Sequence, residues 1–408
     1  MNVETLRKEF PQLQQTVYGK PLVYLDNAAT ALRCSSVIDK WNEMSVQFNS
    51  NLHRAVHRTA VLATDEFEST RSAVAHFINA ASPSEIVFTS GTTQSVNLLA
   101  FCLGESFFKA GDEIIIGEAE HHSNLVPWQL LAQRKALKIK VLSLSDNGEY
   151  EIERLNDLLS PRTRLCCIAH VSNVLGIINP VKEICSICHD NGTLVFVDGA
   201  QAVAHKSIDV ADIACDFYAF SGHKMYAAPG TGVLYGRQDL LESFPPYMGG
   251  GEMIESVSWI QSSFAPVPHR FEAGTQNISG IPTLKPAIAI VKVMEDRQIQ
   301  DNYTSIRNYL RIALEGIEGL RLFGAPADKE RKTALFSFCI DGAHHEDLAL
   351  ILDKMGIALR SGQMCAEPLM DRYGVSGMLR ASFAPYNTIG EAHYFVECLQ
   401  KAIKMLKG

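Results

Sequence analysis

Between about Leu22 and Gly236 the chain alternates short, almost unbroken apolar runs with helical stretches, and this alternation restricts the fold more than any other feature. Glu113–Ile116 carries Ile-Ile-Ile and Leu194–Val197 reads Leu-Val-Phe-Val. Neither shows the polar-out alternation of a sheet wetted on one side. A strand that is apolar on both faces must be covered on both, as crossover helices cover a parallel sheet. The runs Glu85–Thr89, Lys138–Leu144, Leu165–His170, Phe217–Phe220 and Gly232–Leu234 continue the series. The expected fold is α/β: a large, doubly wound, mostly parallel sheet that takes ligands at the carboxyl ends of its strands.

After about Pro282 the texture changes. Helical stretches Thr283–Arg297 and Asn302–Glu315 lead to a strand at Ala334–Ile340 and a helix at His344–Lys354. Strands Ile357–Ser361 and Met378–Phe383 follow, then a last helix from about Ile389 to Leu406. This predicts a smaller α+β C-terminal domain. The division expected is residues 20–283 as the large ligand-binding domain, with 1–19 and 284–408 as the small one. Met1 to Gln14 reads as a short amphipathic helix with Leu6, Phe10 and Leu13 on one side. It carries Glu4 and Glu9 and lacks the apolar stretch of a signal peptide, and no run approaches the roughly 20 residues that span a bilayer. A cytoplasmic chain is expected, its ten cysteines reduced. A formal charge of −8 without a basic stripe points away from nucleic acid and membrane partners.

Several strand ends carry unusual polar groups. Leu194–Val197 runs into Asp198, a carboxylate that is costly to bury unless it meets a cation. Phe217–Phe220 runs into Ser221-Gly222-His223-Lys224. Glu85–Thr89 runs into Ser90-Gly91-Thr92-Thr93, ahead of a helix at Gln94–Leu103, where free amides and the macrodipole favour a phosphate. Singly, Lys224 reads as a solvated lysine, Asp198 as a turn residue, Thr92 and Thr93 as caps, and His121 as a loop histidine. Together they are the parts of a pyridoxal 5'-phosphate site. A lysine bonds the cofactor, an aspartate keeps the pyridinium nitrogen protonated so that the ring draws electrons, and a cup holds the phosphate. His121 is placed to stack on the ring and move protons.

The segments Tyr24-Leu-Asp-Asn-Ala-Ala-Thr30, Thr89-Ser-Gly-Thr-Thr93, His121-His-Ser-Asn124, His170-Val-Ser-Asn173, Val197-Asp-Gly-Ala-Gln201 and Ser221-Gly-His-Lys224 follow in order. The chain resembles the cysteine desulfurases of the class V aminotransferase family, which have the fold type I pyridoxal-phosphate architecture. The likeness runs from about Phe10 to the C-terminal helix. It implies that Lys224 holds the cofactor, Asp198 pairs with the ring nitrogen, Gln201 bonds the ring hydroxyl and His121 stacks on the ring. Thr93, Ser221 and His223 would hold the phosphate, with Thr92 nearby. Asn173 would lie beside cofactor and substrate, and Asn27 and Ala28 would line the substrate end. Thr275, in Arg270-Phe-Glu-Ala-Gly-Thr275, would reach the phosphate of the other subunit of a homodimer.

Most of the ten cysteines fall in apolar patterns that read as packing residues. Cys365 does not: it lies in Arg360-Ser-Gly-Gln-Met-Cys-Ala366, between two strands, with a cation nearby. The segment resembles the Arg-x-Gly-x-x-Cys-Ala signature of the group II (SUF-type) desulfurases, and Arg380 matches the arginine that clamps the substrate carboxylate. The resemblance implies conversion of L-cysteine to L-alanine, with the sulfur passing to Cys365 as a persulfide and then to a sulfur-acceptor protein. Gln363 and Met364 stand where many members carry histidines, which predicts a loop of different acid–base character. Selenocysteine lyase activity on L-selenocysteine is the nearest alternative, and a transaminase or lyase of the same class is the next; the latter has no need of a thiol at this loop.

Cys185-Ser-Ile-Cys-His189 matches a haem-attachment pattern but sits in a helical segment with both thiols inward. No second Cys-x-x-Cys completes a zinc set, so no metal is expected. Gly230, Gly232 and Gly236 do not fit a dinucleotide turn.

Overall fold

The computed structural model describes residues 2–407. The chain opens with helix α1 (Val3–Lys8), capped by Asn2, and a single 3-10 turn at Pro11–Gln14. The one helix expected over Met1–Gln14 is thus two pieces, and Met1 lies outside the described residues. Pro11 offers no N–H and pushes Phe10 out of helical geometry (φ −111°, ψ 89°). Leu6, Phe10 and Leu13 are all buried. A two-residue strand β1 (Val23–Tyr24) and helices α2 (Ser35–Gln47) and α3 (Arg58–Phe77) come before the main sheet.

That sheet is built from β2 (Ile86–Thr89), β3 (Glu113–Gly117), β4 (Lys138–Leu142), β5 (Thr163–Ala169), β6 (Leu194–Asp198), β7 (Phe217–Ser221) and β8 (Gly232–Gly236). Its order is β2-β8-β7-β6-β5-β3-β4, and β8 alone runs antiparallel to its neighbours. The expected α/β sheet is present, mixed rather than purely parallel. Helices α4 (Thr92–Ser106), α5 (Val126–Lys135) and α6 (Val181–Asp190) cover it. Two apolar clusters, one on each face, account for the unbroken hydrophobic runs: Val195 and Val197 pack in one, Phe196 in the other. A hairpin of β9 (Ile254–Val257) and β10 (Ser262–Phe264) follows the sheet.

The second unit is an antiparallel sheet in the order β11-β12-β15-β14, from β11 (Leu320–Phe323), β12 (Leu335–Ile340), β14 (Arg360–Gly362) and β15 (Met378–Ser382). Helices α8 (Arg297–Glu315), α9 (His345–Lys354) and α11 (Ile389–Lys407) pack on it. The single strand expected at Ile357–Ser361 is two. β13 (Ile357–Ala358) pairs in parallel with β1, and after Leu359 the chain switches partner, β14 pairing with β15.

The sequence places the domain division at 283/284. Packing puts helix α7 (Leu284–Met294) against α2 and α3 in the large core, through Leu284, Ala287, Val291 and Met294. Val23 and Leu25, from the N-terminal segment, join the small core instead, with Ile306, Phe338 and Phe395. Ile299, at the start of α8, still packs in the large core, and Tyr303 and Ile306 pack in the small one. An amphipathic helix fits either core equally well, so its periodicity alone does not assign it.

Candidate active site

Parallel register carries the polar strand ends to one edge of the large sheet. Ala169 lies opposite Asp198, and Asp198 opposite Ala219, two residues before Ser221. The turn Gly222–Lys224 then brings Lys224 back over the strand ends. There a cavity of about 250 Å³ is lined by Lys224, Asp198, His121 and Gln201. Thr92, Thr93, Ser221 and His223 line one end, and Ala28, Asn173, Arg360, Arg380 and Cys365 the other.

Burial sets the charges of this pocket. Desolvation lowers the pKa of Lys224, with Asp198 opposing and Arg380 adding to the shift. Burial raises that of Asp198, against Lys224 and the N–H of Ala200, which donates to its Oδ1 at 2.9 Å. Burial first, then Lys224, the neighbouring His122 ring and Arg380, push His121 down to about 3. Its Nδ1 accepts the Ser123 N–H at 3.1 Å and meets Ser123 Oγ at 2.7 Å, leaving Nε2 for the cavity. The pocket therefore holds a neutral imidazole beside an amine whose lowered pKa favours its unprotonated, proton-accepting form.

The end at helix α4 is shaped for an anion. Gly91 turns the chain from β2 into α4 at φ 153°, ψ 174°, a conformation open to glycine. Ser221 Oγ accepts the Thr92 N–H at 2.9 Å and lies 2.9 Å from Thr92 Oγ1. His223 Nδ1 meets Thr30 Oγ1 at 3.2 Å, and burial, Lys224 and Arg33 push the ring down to about 4. Free amides of a 15-residue helix and these hydroxyls suit a phosphate. Gln201 donates through Nε2 to Ala28 O at 2.7 Å, tying the cavity floor to the N-terminal segment.

The other end is shaped for a carboxylate. Arg380 is buried, with Nη1 donating to Asn173 O at 2.9 Å and Nη2 paired with Asp26 Oδ1 at 3.2 Å. Its Nε has no partner, an orphaned donor on the fork that binds carboxylates. Asn27, expected to line this end, does not: its carboxamide donates to Ser382 O at 2.7 Å and accepts from Tyr386 OH. Thr275 is also off the cavity, in a separate depression beside Ser90 and Gln94.

Cys365 is the one exposed thiol; of the other nine cysteines eight are buried and Cys339 is partly so. Met364 and Cys365 stand at φ 54° and 55°, and Met364 is buried, packed in the large core with Ala366, Leu369 and Met370. The methionine in place of a histidine thus fills core volume beside the cavity. Asn173 Nδ2 donates to Met364 O at 2.9 Å.

Three residues with no role assigned from sequence belong to this site. Asp26, inside the Tyr24–Thr30 segment, pairs with Arg380. Glu120 lies beneath the strand ends, accepting from Ala169 N at 2.7 Å, Tyr150 OH at 2.8 Å and Asn124 Nδ2 at 2.6 Å. Burial pushes its carboxyl up to about 8, with Asp198 adding and those bonds opposing. His122 touches the Cys365 loop.

In the haem-like segment, Cys185 and Cys188 face the core of α6, and His189 pairs with Asp216 at 2.9 Å. Among the described residues, His53, Glu68 and His269 are one group with three metal-type donors in mutual reach. Glu68 there already accepts from Arg71 and His53. No helix among the described residues is long and apolar enough to cross a membrane.

The aminotransferase class-V family model matches residues 23–395. A probable cysteine desulfurase of Xylella fastidiosa is 44% identical over 403 residues, 99% of this chain and 96% of that protein. The cysteine desulfurase of Dickeya dadantii is 43% identical over 405 residues, 99% and 97% of the two chains. The crystal structure of the cysteine desulfurase CsdA from Escherichia coli superposes with a TM-score of 0.90 at 37% identity, covering 100% of this chain and 99% of that one.

Proposed function

The chain belongs to the class-V aminotransferase family, and from that premise we propose that it is a cysteine desulfurase, taking sulfur from L-cysteine onto Cys365 and releasing L-alanine. One observation carries the reading: an exposed thiol, a buried arginine and a half-buried lysine line a single cavity.

The pocket fits pyridoxal 5'-phosphate, and the glycine turn at Gly91 and the presence of Lys224 and Asp198 on one cavity wall are what make it fit. Lys224 would bond the cofactor, Asp198 would face its ring nitrogen, Gln201 its hydroxyl, and Thr92, Thr93, Ser221 and His223 its phosphate. When bound, that cofactor supplies an electron sink that weakens bonds at the substrate's Cα and Cβ.

The chain's own residues do the rest. Arg380 holds the substrate carboxylate through its fork, with Asn173 and Asp26 fixing the guanidinium plane. Lys224, an amine with lowered pKa, takes the proton from Cα. His121 moves a proton at Nε2 beside the substrate sulfur. The Cys365 thiolate attacks that sulfur. An S–S bond forms as the Cβ–S bond breaks, its electron pair staying with the carbon that becomes the methyl of alanine. The persulfide sits on an exposed loop, where an acceptor protein reaches it. Thr275, off this chain's own cavity, would serve the phosphate of a second copy, so we read the enzyme as a homodimer. Ten free thiols suit a reducing cytoplasm.

The test is to incubate the purified protein with L-cysteine and assay alanine and sulfide beside a Cys365→Ala variant. The variant is expected to lose both products; equal alanine from the two proteins would sink the persulfide role. Lys224→Ala is expected to abolish the visible absorption band of the bound cofactor, a separate check of the cofactor assignment.

A further inference from the structure

The Cys365 loop adopts a shape it would not keep alone. Met364 and Cys365 are consecutive non-glycine residues in the left-handed region, which L-residues leave unless their surroundings hold them there. Three hydrogen bonds from the large unit do the holding. Asn173 Nδ2 donates to Met364 O at 2.9 Å, and the His122 N–H donates to Cys365 O at 2.8 Å. The third differs in kind: the Glu367 N–H donates to His122 Nε2 at 3.0 Å. Glu367 is the first residue of helix α10 (Glu367–Tyr373), and its N–H is one of the donors that a helix leaves unpaired. The N-cap position is Ala366, whose methyl accepts nothing. A histidine at the edge of the large sheet thus caps a helix 245 residues away in the chain, at the residue two beyond the catalytic thiol.

We propose that His122 is a positioning residue, whose Nε2 caps α10 from the large unit and thereby fixes the Cys365 thiol at the mouth of the cavity. The kinetic consequence rests on the desulfurase reading; the structural one does not. Glutamine places Oε1 where histidine has Nε2, whereas asparagine places Oδ1 where histidine has Nδ1. His122→Gln therefore keeps the cap, and His122→Asn and His122→Ala lose it.

The experiment compares the three variants as holoenzymes, with an unchanged cofactor absorption band as the sign of an intact site. Hydrogen exchange over residues 364–367, followed by mass spectrometry, is expected to quicken roughly three- to thirtyfold in the Asn and Ala variants, the range a lost cap produces, and to stay near the parent rate in the Gln variant. With L-cysteine, kcat should fall in the first two while KM holds, because Arg380 rather than the loop binds the substrate. Unchanged exchange in His122→Ala, or Gln and Asn variants that behave alike, would overturn the proposal. If the parent protein does not turn over L-cysteine, the desulfurase reading fails, and the exchange rates still decide the cap.

Discussion

Arg380 keeps its guanidinium plane fixed between Asn173 O and Asp26 and leaves Nε unpartnered. Lysine at this position would carry the charge without the fork. Arg380→Lys is therefore expected to raise KM for L-cysteine about ten- to a hundredfold, the worth of one charged hydrogen bond, with a smaller fall in kcat, measured by steady-state alanine release. A KM within about twofold of the parent would remove Arg380 from substrate binding. At this scale Lys224, Asp198, Thr92 and Ser221 were legible because each follows directly on an apolar strand. Asp26 and His122 were not, although both lie within segments that stood out. His122 meets Glu367 across 245 residues, and no local pattern encodes a partner so far away.

The passage from β2 into α4 depends on one residue without a side chain. A Cβ on Gly91 would lie 3.2 Å from Ser221 Oγ, and its φ of 153° is open to glycine alone. Gly91→Ala is expected to cost about 1–3 kcal/mol in urea unfolding and to weaken cofactor retention in dialysis, since Ser221 must move away from Thr92. A second element-level joint ties α3 to the loop that ends in Thr275. Arg71 lies over the edge-to-face pair Phe67 and Phe88 and forks onto Glu272 at 2.7 and 2.8 Å, both side chains buried. Arg71→Met leaves that carboxylate buried with the Phe88 N–H as its remaining donor, and should cost about 3–5 kcal/mol by chemical denaturation. The strands were readable as elements because burial on both faces writes an unbroken apolar run. The break of Ile357–Ser361 was not, since both halves are extended and only the partner changes.

Across the whole molecule, buried and half-buried histidines and a buried acid pull stability in opposite directions. Burial first, aided by nearby cations, pushes His121 and His170 down to about 3, and His223 to about 4; burial alone takes His205 to about 4. Their folded pKa values lie below the ordinary 6.5, so their contribution is complete above about 6.5 and is lost as pH falls toward the folded values. Glu120, pushed up to about 8, has the reverse sign: its contribution is complete below the ordinary carboxylate range and is lost as pH rises toward 8. The midpoint of thermal unfolding should decline as pH falls from about 6.5 to 4, each proton taken up only by the unfolded chain contributing at most about 1.4 kcal/mol per pH unit. His170→Asn should flatten the decline, because it removes a histidine that titrates only after unfolding. A midpoint independent of pH over this range would contradict the burial assigned to these rings.

By itself the sequence determined the kind of sheet and the polar groups at its strand ends, because hydrophobic periodicity and the residues that follow a strand are local properties. It also carried the thiol in its own short segment. The tertiary structure alone decided which core α7 joins, that Asn27 is bound to Ser382 and Tyr386 rather than to the cavity, and that a methionine beside Cys365 fills the large core. Each of these depends on what packs against a residue from a distant part of the chain. Packing at that range is settled by volume and by which buried donors find acceptors, and a single stretch of sequence holds only one side of each such pair.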